Sequence, residues 1–360
     1  MEADQASPRR IASLDQYRGY TVAGMLFVNF LGSYLVVPAV FKHHNTYCSY
    51  ADTIMPQFFF AVGFAYRLTF MRRQAAAGFW NAASAVLKRS AGLFLIGFVI
   101  YHLDGEVKTW GQLRDMGIQG FFSQAFRREL FQTLVHIAIT SLWVLPVIAA
   151  GSATRIWFMI ASAGLHVWLS SLFYFAYAWK LPVIDGGPLG FLTWSIPMLV
   201  GSLAYDVMVS SRDRSDSISK LAAWSAGLML LGYSLSSLGG RLAAPPFVPP
   251  PSSQALDIWT MSQRTGSVSY LTFAAGLSLA VYALFAVICD GAGAQSALFR
   301  LFGQNALAAY IFHPIVASAV KPYLPNDAPA WYVATGFCVY FGICVLFNRY
   351  LEKHRLFLRL

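Results

Sequence analysis

Long apolar stretches follow one another along this chain, separated by short polar joints, and that alternation predicts its elements. A hydrocarbon core about 30 Å thick is crossed by roughly 20 apolar residues in a helix. Read with that window, the sequence predicts spans near 20–41, 53–71, 86–103, 130–150, 155–178, 190–210, 220–239, 267–289, 298–320 and 331–350. The expected fold is all-α, a polytopic integral membrane protein of about ten transmembrane helices, with residues 1–360 forming one domain. Pro56 and Pro314 fall inside two of these spans. Kinks or interruptions are expected there, because proline removes a backbone donor. Residues 1–19 are polar and no small-residue cleavage site follows the first apolar run, so an uncleaved signal anchor is expected.

Composition agrees with a bilayer as solvent. Of 360 residues 57% are hydrophobic and only 12% charged, about half the charge of an ordinary soluble domain. A net charge of +10 raises the question of nucleic acid, but Lys and Arg lie in short clusters between apolar runs, and no nucleic-acid motif accompanies them. Four separated cysteines, Cys48, Cys289, Cys338 and Cys344, suggest neither a disulfide framework nor a metal site.

Placing the N-terminus in the cytoplasm puts seventeen of the twenty-six Lys and Arg on the cytoplasmic side. That asymmetry predicts both termini inside a cell inner (plasma) membrane. Residues 104–129, with Asp104, Glu106, Lys108, Arg114, Asp115 and Arg127, read as an outer amphipathic or re-entrant segment. The proline-rich stretch 241–258 reads as an outer loop, and the Gly-Gly pairs at 186–187 and 239–240 read as turns.

Polar residues inside so apolar a chain are costly and so carry information. Asp15 and Arg18, three apart before the first span, share a helix face, and a local ion pair there is as good a reading as a functional one. His43, His44 and Asp52 lie in the short outer connection. A carboxylate beside a neutral imidazole fixes its tautomer and raises its basicity, as a general base requires; ordinary interfacial histidines with Asp52 as a helix N-cap are the alternative. Asn305 and His313 are eight apart in GQNALAAYIFHP, roughly on one helix face, and both should point into the protein. His136 and His166 are similarly placed intramembrane histidines, for which a structural role is a slightly better reading than a catalytic one. No Gly-rich phosphate loop, GxSxG or HExxH occurs.

In combination these segments resemble the heparan-α-glucosaminide N-acetyltransferase family and its bacterial relatives. RIASLDQYRGYTVAGMLFVNF is similar to that family's opening, FKHHNTYCSYADTIMPQFFFAVG to its next segment, SVSYLTFA to its Ser-x-Ser-Tyr helix start and FGQNALAAYIFHP to its late Asn-x7-His segment. The matches run in order from residue 10 to 313. The resemblance implies an integral-membrane acyltransferase that moves an acetyl group from cytoplasmic acetyl-CoA to an amino sugar or glycan on the far side. By position His43 matches the catalytic histidine, Asp52 the following acid, and Asn305 and His313 the late pair. Asp15, Arg18, Asn29, Gln132 and Ser269 match further motif positions expected to serve the acyl donor. The His43–Asp52 spacing is one residue shorter than the family's, so His44 is the alternative base. Phe131-Gln132-Thr133 stands where the family has Leu-Gln-Arg. Ser262-Gln263 stands where it has Asn-Lys, with Arg264 the nearest substitute cation.

The chemistry sought is then simple. A histidine takes the acceptor's proton during attack on a thioester, Asn305 donates to the carbonyl oxygen, and Arg18 with Arg72, Arg73, Lys88 and Arg89 meets the CoA phosphates. The expected partners are acyl-CoA, a sugar acceptor and the lipid bilayer, with no metal and no nucleic acid, and a homodimer is left open. A secondary transporter or flippase, or a degenerate binding protein on the same scaffold, are the alternative functions.

Overall fold

The computed structural model describes residues 11–103, 107–125, 130–181, 183–240, 242–251 and 255–358. Arg9, Arg10, Asp104, Glu106, Arg127, Arg128, Arg241 and Arg359, used in the readings above, lie outside them. Among the described residues the protein is all-helical. The helices are α1 Ala12–Leu31, α2 Tyr50–Ala77, α3 Phe79–His102, α4 Trp110–Ala125, α5 Thr133–Val144 and α6 Ser152–Lys180. They continue as α7 Phe191–Ser210, α8 Arg214–Ser236, α9 Val268–Gly291, α10 Ala297–Gln304, α11 Ala306–Val320 and α12 Ala330–Lys353.

Six of these segments are long and apolar enough to cross a membrane: Tyr50–Ala77, Phe79–His102, Ser152–Lys180, Gly187–Ser210, Val268–Gly291 and Ala330–Lys353. Their burial sorts them. In α2, α7 and α9 between 61% and 72% of the apolar window is buried, whereas in α3, α6 and α12 the share is 17–22%. The first three form the core and the second three present apolar side chains outward, where lipid would replace water.

Backbone contact welds the core. A Cβ on Gly63 would lie 1.7 Å from the Met198 carbonyl oxygen, and one on Gly201 would lie 2.0 Å from that of Phe60. Only glycine lets α2 and α7 approach this closely. At one end of the core Arg67 donates to Asp206 at 3.0 Å and to the Ile148 carbonyl at 2.6 Å. Arg155, fully buried, also pairs with Asp206 and donates to Ser202 at 2.8 Å. Arg67, one of the seventeen cations assigned to the cytoplasmic side, is therefore a buried ion-pair partner holding α2 to α7.

The sequence boundaries shift in places. The first helix ends at Leu31 rather than 41, since Pro38 cannot continue it and the chain turns through a short 3₁₀ segment at Ala39–Phe41. Neither expected proline break occurs, because α2 passes through Pro56 and α11 through Pro314. The interruption falls at Asn305 (φ −123°, ψ 39°), so the stretch 298–320 is two helices, the second of 15 residues. The 104–129 segment holds α4, bent at Gly117 (φ 58°). Of the remaining expected spans, α5 is a shorter apolar helix. The α1 segment carries Asp15, Gln16, Arg18 and Asn29, and α8 opens on Arg214 and Asp216.

Candidate functional site

The connection 32–49 and the first turn of α2 build the site's centre. Ser49 is the N-cap of α2, and Asp52, three residues on, completes a capping box with it. Asp52 is thus not itself the N-cap. Its Oδ2 accepts the Ser49 N–H at 3.0 Å, and its Oδ1 accepts His43 Nδ1–H at 2.9 Å. The His44 N–H also donates to this carboxylate, at 3.3 Å. Asp52 is 1% exposed, while the His43 side chain is 45% exposed. With its proton on Nδ1, a neutral His43 keeps a lone pair on Nε2. Partial burial pushes the His43 imidazolium toward losing its proton. The Asp52 bond and charge, the Asp185 charge and the Gln263 amide outweigh that burial and raise its pKa above the usual value.

Geometry distinguishes the two histidines. The His44 ring turns away, placing Nε2 2.8 Å from the Ala39 carbonyl oxygen and stacking on Tyr47 at 4.4 Å. Only His43 presents its ring to Asp52.

Two loops from distant parts of the chain close over this pair. Gln263 lies with Oε1 3.2 Å from His43 Nδ1 and donates from Nε2 to Asp185 Oδ1 at 2.7 Å. Asp185 is 3% exposed and adopts φ 55°, a left-handed conformation uncommon outside glycine. Burial pushes its carboxyl up to about 6, against the lowering effects of Gln263 and His43. Trp194 Nε1–H donates to the Asp185 carbonyl at 2.6 Å, and the Gly186 N–H donates to the Arg264 carbonyl at 3.2 Å. Arg264 is not the substitute cation. Its guanidinium donates to the carbonyls of Ala178, Trp179 and Leu181 and stacks over Trp179. Sequence reading missed Asp185 because an Asp before Gly-Gly reads as a turn, and it gave Gln263 only as a lost cation.

A second polar group lines the late helix. His313 Nδ1–H donates to the Tyr310 carbonyl at 2.7 Å, leaving Nε2 to face the Asn29 amide at 3.4 Å. Tyr310 shares a hydroxyl–hydroxyl bond with Tyr101. Asn305, fully buried, has neither amide oxygen nor nitrogen paired. Neither Asn305 nor His313 shares a hydrogen bond with His43 or Asp52 among the described residues.

Other expected residues serve elsewhere. Ser269 donates to the Trp259 carbonyl at 2.6 Å and so pins the outer loop. Gln132 is the buried N-cap position of α5. His136 lies buried with its ring near Phe131 and Trp194, beneath the turn that carries Asp185. At the opposite end of the bundle Arg18 faces Asp15 at 3.9 Å, and the charges of Arg18 and Arg73 act on half-buried Arg89.

Neither a family model nor a curated protein matches this chain. The functional reading therefore rests on the side chains themselves. They supply a half-exposed imidazole backed by a buried carboxylate, a buried unpaired amide, and a cation group at the other end.

Proposed function

We propose that the chain is an integral-membrane acyltransferase that crosses the plasma membrane about ten times with both termini cytoplasmic. In this reading it takes an acetyl or other acyl group from cytoplasmic acyl-CoA and passes it to an amino sugar or glycan outside. The observation that carries the proposal is His43, held through Nδ1 by the buried Asp52 carboxylate while its side chain stays half exposed. The donor suits the remaining groups. Arg18, Arg73 and Arg89 gather positive charge against Asp15, which a polyphosphate would relieve, and the unpaired Asn305 amide would be satisfied by a carbonyl oxygen. Bound acyl-CoA supplies a thioester carbonyl.

His43 Nε2 takes the proton of the acceptor's amine or hydroxyl as that atom attacks the carbonyl carbon. Asp52 stabilises the imidazolium that results, and the Asn305 amide donates to the developing oxyanion. His43 then returns the proton to the leaving thiolate. The test is release of CoA thiol by purified protein in detergent, with a panel of amino sugars and glycans. Acceptor-dependent release supports the assignment. A transporter reading draws on the helix break at Asn305, and retention of donor binding without any release, or of acceptor transport in vesicles, would move it or a binding role ahead.

A further inference from the structure

Asp185 is held in a costly state, and nothing in the packing of its loop demands a carboxylate there. Its side chain is buried, its backbone is left-handed and its recorded side-chain partner is the amide of Gln263, 78 residues later in the chain. The surrounding turn is secured by other means. Gly186 and Gly266 meet Cα to Cα so closely that a Cβ on either would lie about 3 Å from the other's backbone, and Tyr174 donates to the Gly186 carbonyl while accepting from the Leu189 N–H at 2.9 Å. These contacts are all to backbone and would persist with any side chain at 185 that tolerates the conformation.

With Asp185 ionised, as it is above about pH 6, the hydrogen-bond sense along the cluster is determined. A carboxylate only accepts, so the Gln263 nitrogen must face Asp185 and its oxygen must face His43. The His43 Nδ1–H therefore sits between two acceptors, Asp52 Oδ1 at 2.9 Å and Gln263 Oε1 at 3.2 Å. Without Asp185, the Gln263 amide could rotate and offer its nitrogen to His43, which would favour the wrong tautomer. We infer that Asp185 is a positioning residue, which through the Gln263 amide holds His43 with its proton on Nδ1 and its lone pair on Nε2. The inference rests on the reading of His43 as the base, and it adds a second carboxylate to that base's support. Besides His43 and Asp52, the ionisable groups reached by the Asp185 charge are the phenols of Tyr101, Tyr270 and Tyr310.

The test needs a readout that does not depend on turnover. Diethyl pyrocarbonate acylates neutral imidazole, so the pH dependence of His43 modification, followed by mass spectrometry of its peptide, reports its protonation directly. Asp185→Asn keeps the shape and tolerates the left-handed backbone but lets the side chain at 185 donate to Gln263 as well as accept, so the sense of the bridge is no longer fixed. Gln263→Met removes the bridge at similar size. Both variants should modify His43 about threefold faster at pH 6 than the parent, the equivalent of about half a pKa unit. Where acyl transfer is measurable, both should lower kcat about tenfold while leaving KM for acyl-CoA unchanged. An unchanged modification profile in both variants overturns the inference, as does a shift in Asp185→Asn alone, which would mean a direct field rather than the amide bridge. If the profiles shift as expected but no acceptor supports CoA release, the positioning stands and the acyltransferase reading fails.

Discussion

His43 and His44 are adjacent and chemically identical, yet only one ring meets Asp52. His43→Ala should reduce turnover roughly 10²–10⁴-fold, the usual worth of a general base, while acyl-CoA binding persists. His44→Ala should retain most of its rate in the same assay, since its ring stacks on Tyr47 and bonds a carbonyl. The His43 pKa lies above its ordinary value chiefly through Asp52 once burial is overcome. The rate should therefore rise with pH through a limb above about 6.5, and Asp52→Asn should move that limb to lower pH. For stability, Asp185 has the opposite sense from a paired carboxylate. Burial raises its folded pKa from 3.8 to about 6, so the fold prefers it protonated and stability falls as pH rises through that window. Asp185→Asn should thus gain on the order of 3 kcal/mol at pH 8 and nothing near pH 3, checked by thermal unfolding in detergent at both values. The chain order exposed the two histidines and Asp52 as candidates but could not say which ring turns inward. Asp185 was invisible, because its meaning lies in a contact with Gln263 that only the folded loops create.

Prolines were the elements' most legible punctuation, and they behave differently from expectation for a definite reason. Pro56 has no N–H to give the Asp52 carbonyl one turn earlier, and Tyr270 of α9 donates to that carbonyl at 2.5 Å. Pro314 likewise leaves the Tyr310 carbonyl free, and His313 Nδ1–H occupies it. Each helix stays continuous because a side chain replaces the missing donor. A single sequence shows the proline but not the distant hydroxyl, so continuity was not legible. The break at Asn305 carries no proline and was hidden for the converse reason. The Ser-x-Ser-Tyr element also acquires physical content: Ser269 anchors the outer loop and Tyr270 repairs α2. Tyr270→Phe should cost about 1–3 kcal/mol by leaving a buried carbonyl unpaired. In a Pro56→Ala background, where a backbone N–H can return, that cost should shrink. A thermal-unfolding double-mutant cycle measures the difference, and purely additive effects would separate Tyr270 from Pro56.

For the whole molecule, the apolar stretches disclosed an all-helical architecture, and among the described residues six helices are long and apolar enough to cross a membrane. The other expected crossings fall on segments that are short or carry polar residues, as α1, α5, α8 and α11 show. Arg67 shows why charge counting is blunt, since a cation assigned to the cytoplasmic side can be an interior partner of Asp206. Orientation is directly testable. Loops 32–49 and 242–267 meet through the Phe247 N–H and the Cys48 carbonyl, so they share one face. Cysteine introduced at exposed Ala255 should label from outside the cell and cysteine at Ala294 only after permeabilisation, in a background without Cys338. The reverse pattern would invert the proposed topology.

Distance along the chain between these fastened partners has a consequence for how the protein is made. Asp52 waits for a hydroxyl made 218 residues later, and in α1 Ser13 and Gln16 wait for Tyr282 and Ser296, 269 and 280 residues later. At about 5–20 residues per second, the first two helices wait on the order of ten to fifty seconds before their partners leave the ribosome. Throughout that interval α2 has an open carbonyl at Asp52 and no settled neighbour on one side. Nascent chains should therefore be most exposed to membrane proteases and insertion chaperones late in synthesis, and a chain cut before Tyr270 would contain the His43–Asp52 pair yet never mature around it.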